Sequence, residues 1–348
     1  MSRPTAGAHY PRSLGEFSAW FGTDADCLDY LEWLRWPEGF VCAACGDRDP
    51  WRLGDRRLMC RGCGARTSPT AGTIFDRTRT PLTVWFMACW LFATQKDGIS
   101  ALALQRALGI GSYQTAWAML HRLRSVLVRP GRELLQGRVE VDETYIGGEE
   151  PGLRGGRAKG KKALVGIAVE RIEPRGLGRC RMAWLRNASG GSLRRFLIDH
   201  VELGATVISD GWKPYIAATD DLYVHERVVV PGAKASDLMP GVHRVAALAK
   251  RWLLGTHQGA VEEPHLSSYL DEFVFRFNRR RSRSRGMVFY RVLELAVAHD
   301  PVRYRELILN PRPTTALRTA PATRGRPESL DRPPANRPWR SVNAPSSA

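Results

Sequence analysis

From Val139 to Ile146 apolar and polar residues alternate, with β-branched and aromatic types among them, which is the pattern of a half-buried strand. Glu140, Asp142 and Thr144 then share one face and Val139 and Val141 the other. A carboxylate on such a face is costly to bury unless it is paired or bound to a cation. A second apolar β run, Ala205 to Ser209, ends in Asp210-Gly211-Trp212, where the glycine turns the chain. Around these runs the pattern predicts strands at 138–146, 163–171, 180–187, 205–210 and 222–229. It predicts helices at about 191–203, 241–254, 265–278 and 287–299. Within 241–254, Val245, Leu248, Ala249 and Trp252 make an i, i+3, i+4, i+7 stripe, so Leu248 is expected to face inward.

The first third reads differently. Residues 13–36 space Phe17, Trp20, Phe21, Leu28, Leu31 and Leu34 as one or two short amphipathic helices, with Asp24 as an N-cap candidate. Thr80-Pro81 opens a helix that is apolar almost all round (Trp85, Phe86, Cys89, Trp90, Phe92) and should be buried. Ser100 to Leu108 and Tyr113 to Val128 are two further helices joined by Gly109-Ile110-Gly111-Ser112, with Ser112 capping the second. Leu102, Leu108, Ala116, Trp117, Leu120 and Leu123 should pack together. His121, Arg122, Arg124 and Arg129 fall on or near the solvated side. A helix, a short glycine-containing turn and a basic second helix suit a DNA-reading helix-turn-helix contacting phosphates through Arg122 and Arg124; an ordinary αα-hairpin with a charged face is the alternative.

Cysteine spacing adds chemistry. Cys42-Ala43-Ala44-Cys45 and Cys60-Arg61-Gly62-Cys63 are two C-x2-C pairs separated by fourteen residues, each followed by glycine. Two such knuckles close a tetrahedral four-thiolate Zn²⁺ site of structural type, with no open position for a substrate. Cys27, Cys89 and Cys180 have no partner at ligand spacing and read as packing residues.

Charge narrows the partner. The 348 residues carry 52 Lys+Arg against 35 Asp+Glu, a net +17, which points to a polyanion and first to nucleic acid. Arg154 to Lys162 is a glycine-rich cationic stretch whose Arg157, Lys159, Lys161 and Lys162 suit phosphates. Five arginines in the seven residues 279–285, among them Arg279, Arg280 and Arg281, follow an aromatic helix and offer a second backbone contact. No secretory h-region follows Met1, and the longest apolar run, 82–93, is shorter than the roughly 20 residues a bilayer needs. A cytoplasmic protein with no membrane partner is expected. Pro311 to Ala348 holds eight prolines and seven arginines with few apolar residues and is expected to be a disordered basic tail.

Three strands, a helix, a fourth strand, a connection, a fifth strand and a helix is the order of a ribonuclease-H-like fold. With the ribbon and helical pair in front, the chain resembles bacterial insertion-sequence transposases of the zinc-ribbon DDE type. The resemblance spans about 40–295. It rests on the cysteine pairs, Ala71-Gly72-Thr73-Ile74-Phe75, Val141-Asp142-Glu143-Thr144-Tyr145-Ile146-Gly147-Gly148, Ser209-Asp210-Gly211-Trp212, Trp252-Leu253-Leu254-Gly255-Thr256-His257, and Tyr269 to Arg280. It implies a multidomain α+β and α/β chain: helix and zinc ribbon at 1–78, helix-turn-helix at 79–132, a mixed-sheet catalytic domain at 133–300, and the tail at 301–348. It implies Mg²⁺-assisted cleavage and strand transfer on double-stranded DNA by a homo-oligomer. Asp142 and Asp210 would hold the Mg²⁺, and His243 and Lys250 would orient phosphate. Two cations about 3.5–4 Å apart serve such chemistry. One departure stands out: the third catalytic position, usually Glu or Asn five residues beyond the histidine, is Leu248. Another acid (Asp237, Glu262 or Glu263) substitutes, or two aspartates suffice, or the chain binds DNA without cutting it. A plain zinc-ribbon regulator would leave Asp142 and Asp210 unexplained.

Overall fold

The computed structural model describes residues 4–129, 131–147, 162–174, 176–229, 238–259 and 261–309. Arg157, Lys159, Lys161, Asp237 and the chain from 310 onward lie outside the described residues. The chain divides into two compact units. One takes residues up to Leu127 together with Ser282–Leu307, the other Val128–Arg281. This division differs from the four segments expected from sequence, because 285–297 packs with the N-terminal helices.

In the first unit, α1 (Leu14–Trp20) and α2 (Asp24–Arg35) precede the ribbon strands β1 (Pro50–Arg52), β2 (Leu58–Cys60) and β3 (Arg66–Thr67). Then come α3 (Leu82–Thr94), α4 (Ala101–Leu108) and α5 (Tyr113–Ser125). The cap of α2 is Thr23, in a capping box with Asp26, and not Asp24. Asp24 instead accepts from the Thr83 N–H at 2.9 Å and its hydroxyl at 3.0 Å, supplying the start of α3 with the acceptor that Thr80 does not provide. α3 is buried as its composition requires, with Trp85, Phe86, Cys89 and Phe92 each at or below 1% exposure. Its neighbour is α10 (Arg285–Val297), whose Phe289 meets Phe17, Phe21, Phe86 and Trp90 at ring separations of 5.4 to 6.1 Å. Gly286 permits that approach: a Cβ there would lie 1.8 Å from the Pro11 carbonyl oxygen.

In the second unit, β4 (Arg138–Ile146), β5 (Ala163–Arg171), β6 (Leu177–Leu185), β7 (Thr206–Ser209) and β8 (Val224–Arg227) form one mixed sheet in the order β6-β5-β4-β7-β8. The first three strands pair antiparallel, while β4–β7 and β7–β8 are parallel. A mixed sheet with flanking helices is what the resemblance implied. β5 is buried from Ala163 to Val169, as a central strand covered on both faces must be. One face carries α6 (Gly190–His200) and α7 (Lys213–Thr219) over Val139, Val141, Leu164 and Val207. The other carries α8 (Pro240–His257) and α9 (Glu263–Asn278) over Val165, Ile167, Val169 and Ile208. The short helix α7 was expected only as a connection; its seven residues start with Lys-Pro and contain too few turns for a periodic signal. A last short helix, α11, spans Tyr304–Leu309.

Candidate active site and metal centres

The ribbon is two matching turns. The Gly46 N–H donates to Cys42 O and the Gly64 N–H to Cys60 O, each at 2.9 Å, and both glycines adopt positive φ (79° and 70°). Asp47 ties the turns together by accepting from the Gly62 N–H at 2.9 Å. The four thiols converge: Cys42 Sγ and Cys63 Sγ lie 3.7 Å apart, Cys45 Sγ and Cys60 Sγ 3.5 Å. Sulfurs bonded to one tetrahedral zinc at about 2.3 Å stand at much that separation, so the quartet fits the ion. Backbone N–H groups of Cys45 and Ala44 draw the Cys42 thiol down to about 7, while burial pushes Cys60 up to about 12. Beside it, Trp51 is 59% exposed on the ribbon's outer face with the Arg61 guanidinium 5.0 Å over its ring, a surface aromatic that the sequence reading passed over.

The second centre is on the sheet. Asp142 stands opposite Ile167, and Glu140 opposite Ile208. Ile167 and Ile208 belong to the core beneath α8, so Glu140 and Asp142 point to that face. Asp210 follows the last residue of β7, the strand that pairs parallel with β4, so it stands in the turn at the end of the strand next to the one that carries Asp142. The loop that carries Asp210 is built for its place. Asp210 Oδ1 accepts from the Trp212 N–H at 3.0 Å, and Gly211 has φ 78° with room for no side chain, because a Cβ would meet Val229 at 2.5 Å.

Each neighbouring acid has a separate task. Glu140, 1% exposed, accepts from the Val242 N–H at 2.9 Å and lies 3.6 Å from Arg171. It closes the start of α8, where Pro240 and Gly241 offer no side-chain cap. Glu143 points to the opposite face and accepts from the buried Tyr215 hydroxyl at 2.8 Å. Burial, then the charges of Glu143, Asp142 and Asp210, push that hydroxyl well above its usual range. The sequence reading grouped Glu140 with Asp142; a buried helix start beginning Pro-Gly, with no capping side chain of its own, is the signal that separates them.

α8 brings the remaining expected residues. His243 Nε2 is 3.9 Å from Asp142 Oδ2. Lys250 feels both Asp142 and Lys162, and burial holds its ammonium below the usual lysine range. Leu248 is half-buried and packed against the core with Trp252, while Val245 and Ala249 are fully buried. Glu262 and Glu263 are exposed, and Glu263 accepts from Trp184 Nε1 at 3.0 Å. Among the described residues only the cysteine quartet gathers three or more ligating side chains on one point.

The expected phosphate contacts divide. Arg124 is 2% exposed, not on a solvated side, and His121 is buried against Trp117 at 4.0 Å between rings. Arg122 is half-buried and donates to Val302 O at 2.8 Å. Leu102, expected inside, is 44% exposed. Arg280 is engaged in the fold: its guanidinium donates to the carbonyls of Leu177, Gly178 and Phe277 and stacks 3.9 Å over the Phe277 ring. With Asn278, which bonds both the N–H and carbonyl of Cys180, it covers the free edge of β6. Arg279 lies over Phe275, half-buried; Arg281 is exposed.

Residues 134–278 match the ISXO2-like transposase domain, and residues 22–66 match the transposase zinc-ribbon domain. The chain is also similar to an uncharacterized protein in transposable element ISH50 from Halobacterium salinarum. The two are 27% identical over 277 residues, which cover 74% of this chain and 91% of that one.

Proposed function

We propose that this chain, which carries the zinc-ribbon and ISXO2-like domains of insertion-sequence transposases, is a DNA transposase that binds the terminal repeats of its element and cuts and joins strands there. What supports the reading is Asp142 on β4 with His243 of α8 3.9 Å away and Lys250 of the same helix within its electrostatic reach, and Asp210 in the turn that ends the neighbouring parallel strand β7. Two carboxylates on neighbouring strands suit Mg²⁺ or a similar divalent ion, which when bound would activate the attacking oxygen and stabilise the leaving one. The protein's own part is placement. The Asp210 turn and the Glu140 contact fix the strand end and the helix start between which the carboxylates stand. Lys250 and Lys162 supply positive charge for the scissile phosphate. Water attacks phosphorus as the bond to the 3′ oxygen breaks, and that oxygen leaves as a hydroxyl; the freed 3′-hydroxyl then attacks target DNA in the same way. The ribbon holds Zn²⁺ as a structural ion and, with α4 and α5, positions the terminal repeat, and the chain acts as a homo-oligomer on double-stranded DNA in the cytoplasm. No described helix is long and apolar enough to cross a membrane.

A second reading is favoured by one residue. Leu248 packs on the core where the resemblance expects a ligand, which suits a protein that binds transposon ends without cutting. Cleavage of a supercoiled plasmid carrying the terminal repeats, with and without Mg²⁺, separates the two. Wild type should nick only with the ion, and Asp142→Asn should lose cleavage but keep binding. Binding without ion-dependent nicking would favour the second reading.

A further inference from the structure

Among the buried side-chain nitrogens without a hydrogen-bond partner in the described residues, which in the second unit also include Arg138 Nε and His257 Nε2, His243 Nε2 is set apart by its place, 3.9 Å from Asp142 Oδ2. A direct imidazole–carboxylate hydrogen bond closes to about 3 Å, so this is not one. Nor is the gap slack in the helix, because the neighbouring Val242 N–H is bonded to Glu140 of β4 at 2.9 Å. A buried donor or acceptor left unpaired costs about 1–3 kcal/mol, which a ligand placed between the two groups would remove. Five residues further along α8, Leu248 is packed against apolar side chains, and among the described residues no third carboxylate joins Asp142 and Asp210.

We propose that His243 is a metal ligand, its Nε2 sharing with Asp142 the ion that Leu248 cannot hold. This rests on the reading above that Asp142 carries a divalent cation. A cation bonded at about 2.1 Å to each group spans two donors 3.9 Å apart. The donor set then decides the ion. Mg²⁺ seeks oxygen ligands, whereas imidazole suits first-row transition ions. The site of this chain is therefore one for Mn²⁺ or Co²⁺ in preference to Mg²⁺.

The test uses the full-length, untagged, zinc-loaded protein and Mn²⁺ alone, without DNA. Bound Mn²⁺ is counted by electron paramagnetic resonance, and directly coordinated nitrogen is read from its electron spin echo modulation. Wild type should bind Mn²⁺ with a nitrogen signature. His243→Ala should lose that signature and weaken Mn²⁺ binding at least tenfold, while Mg²⁺ binding measured by competition shifts less than threefold. His243→Asn serves as a second variant that keeps the volume, and the wild-type nitrogen signature is read even where a variant fails to fold. If Asp142→Asn abolishes Mn²⁺ binding but both His243 variants bind as wild type with the nitrogen signature unchanged, His243 is not a ligand and the proposal is overturned while the Asp142 reading stands. If Asp142→Asn also leaves binding unchanged, both are overturned.

Discussion

His200 ends α6 with 5% of its surface exposed, and its Nδ1 donates to the Asp199 carbonyl at 2.6 Å. Burial, with Arg132 next in weight, pushes its pKa down to about 3. The folded value is thus below the unfolded one of about 6.5. Above that pH the ring is neutral in both states and its contribution is complete. Below it, the unfolded chain takes up a proton that the folded chain refuses, so stability falls as pH drops from about 6.5 toward 3, by at most roughly 1.4 kcal/mol per unit. His200→Gln should flatten that fall in urea unfolding at pH 7 and pH 5; an identical difference in both proteins would rule out this residue as its source. The cysteine quartet gives a second expectation at this scale. Structural zinc contributes on the order of 10 kcal/mol to small modules. Cys60→Ser should lose the ion and unfold the ribbon, read as absent zinc by elemental analysis and rapid proteolysis within 40–70; full zinc retention would refute it. The quartet was legible because ligand spacing is a local property of sequence. The separate roles of Glu140 and Asp142 were not, since they depend on which of two like residues on one face meets the start of a distant helix.

Strands and long helices were legible for the same reason of locality. Alternation located β4, a short apolar run β5, and a longer apolar run α3. Three placements were not. β6 begins at Leu177 because its edge is completed by Asn278 and Arg280, about a hundred residues away. α10 joins the first unit through Phe289 and Gly286, a long-range match that periodicity cannot express. The solvated side of α5 was misassigned at Arg124 because eight of the thirteen residues of this helix are buried, all of them from Ala116 onward. Position 248 makes the element-scale prediction. Its side chain is half-buried against the core under α8, so Leu248→Glu should lower stability by about 1–3 kcal/mol in the absence of divalent ions. If the position borders the aspartates, as the resemblance implies for a third ligand, Mg²⁺ should restore most of that loss and raise the nicking rate. Thermal unfolding and plasmid nicking, each with and without Mg²⁺, provide the check; no response to the ion in either would place position 248 away from the carboxylates.

At the scale of the molecule, the net charge of +17 makes binding to DNA an ion-exchange reaction. Each phosphate neutralised releases counterions, and the logarithm of affinity falls with the logarithm of salt by about 0.9 per contact. Charge totals alone do not say which cations take part. Arg280 donates to three backbone carbonyls and stacks on Phe277, so its charge is committed to the edge of β6. Arg281 is exposed and next in sequence. The two therefore answer differently to the same change. Arg281→Ala should reduce the magnitude of the salt slope by about 0.9 and weaken binding to all sequences alike, with thermal stability unchanged. Arg280→Ala should leave the slope of the folded protein within about 0.3 of wild type and lower its stability by about 1–3 kcal/mol, because buried carbonyl acceptors lose their donor. Fluorescence anisotropy with a fixed duplex from 50 to 200 mM salt measures the slope, and thermal unfolding measures the cost. Should Arg280→Ala flatten the slope while Arg281→Ala leaves it unchanged, the division between structural and DNA-facing arginines at this helix end is reversed.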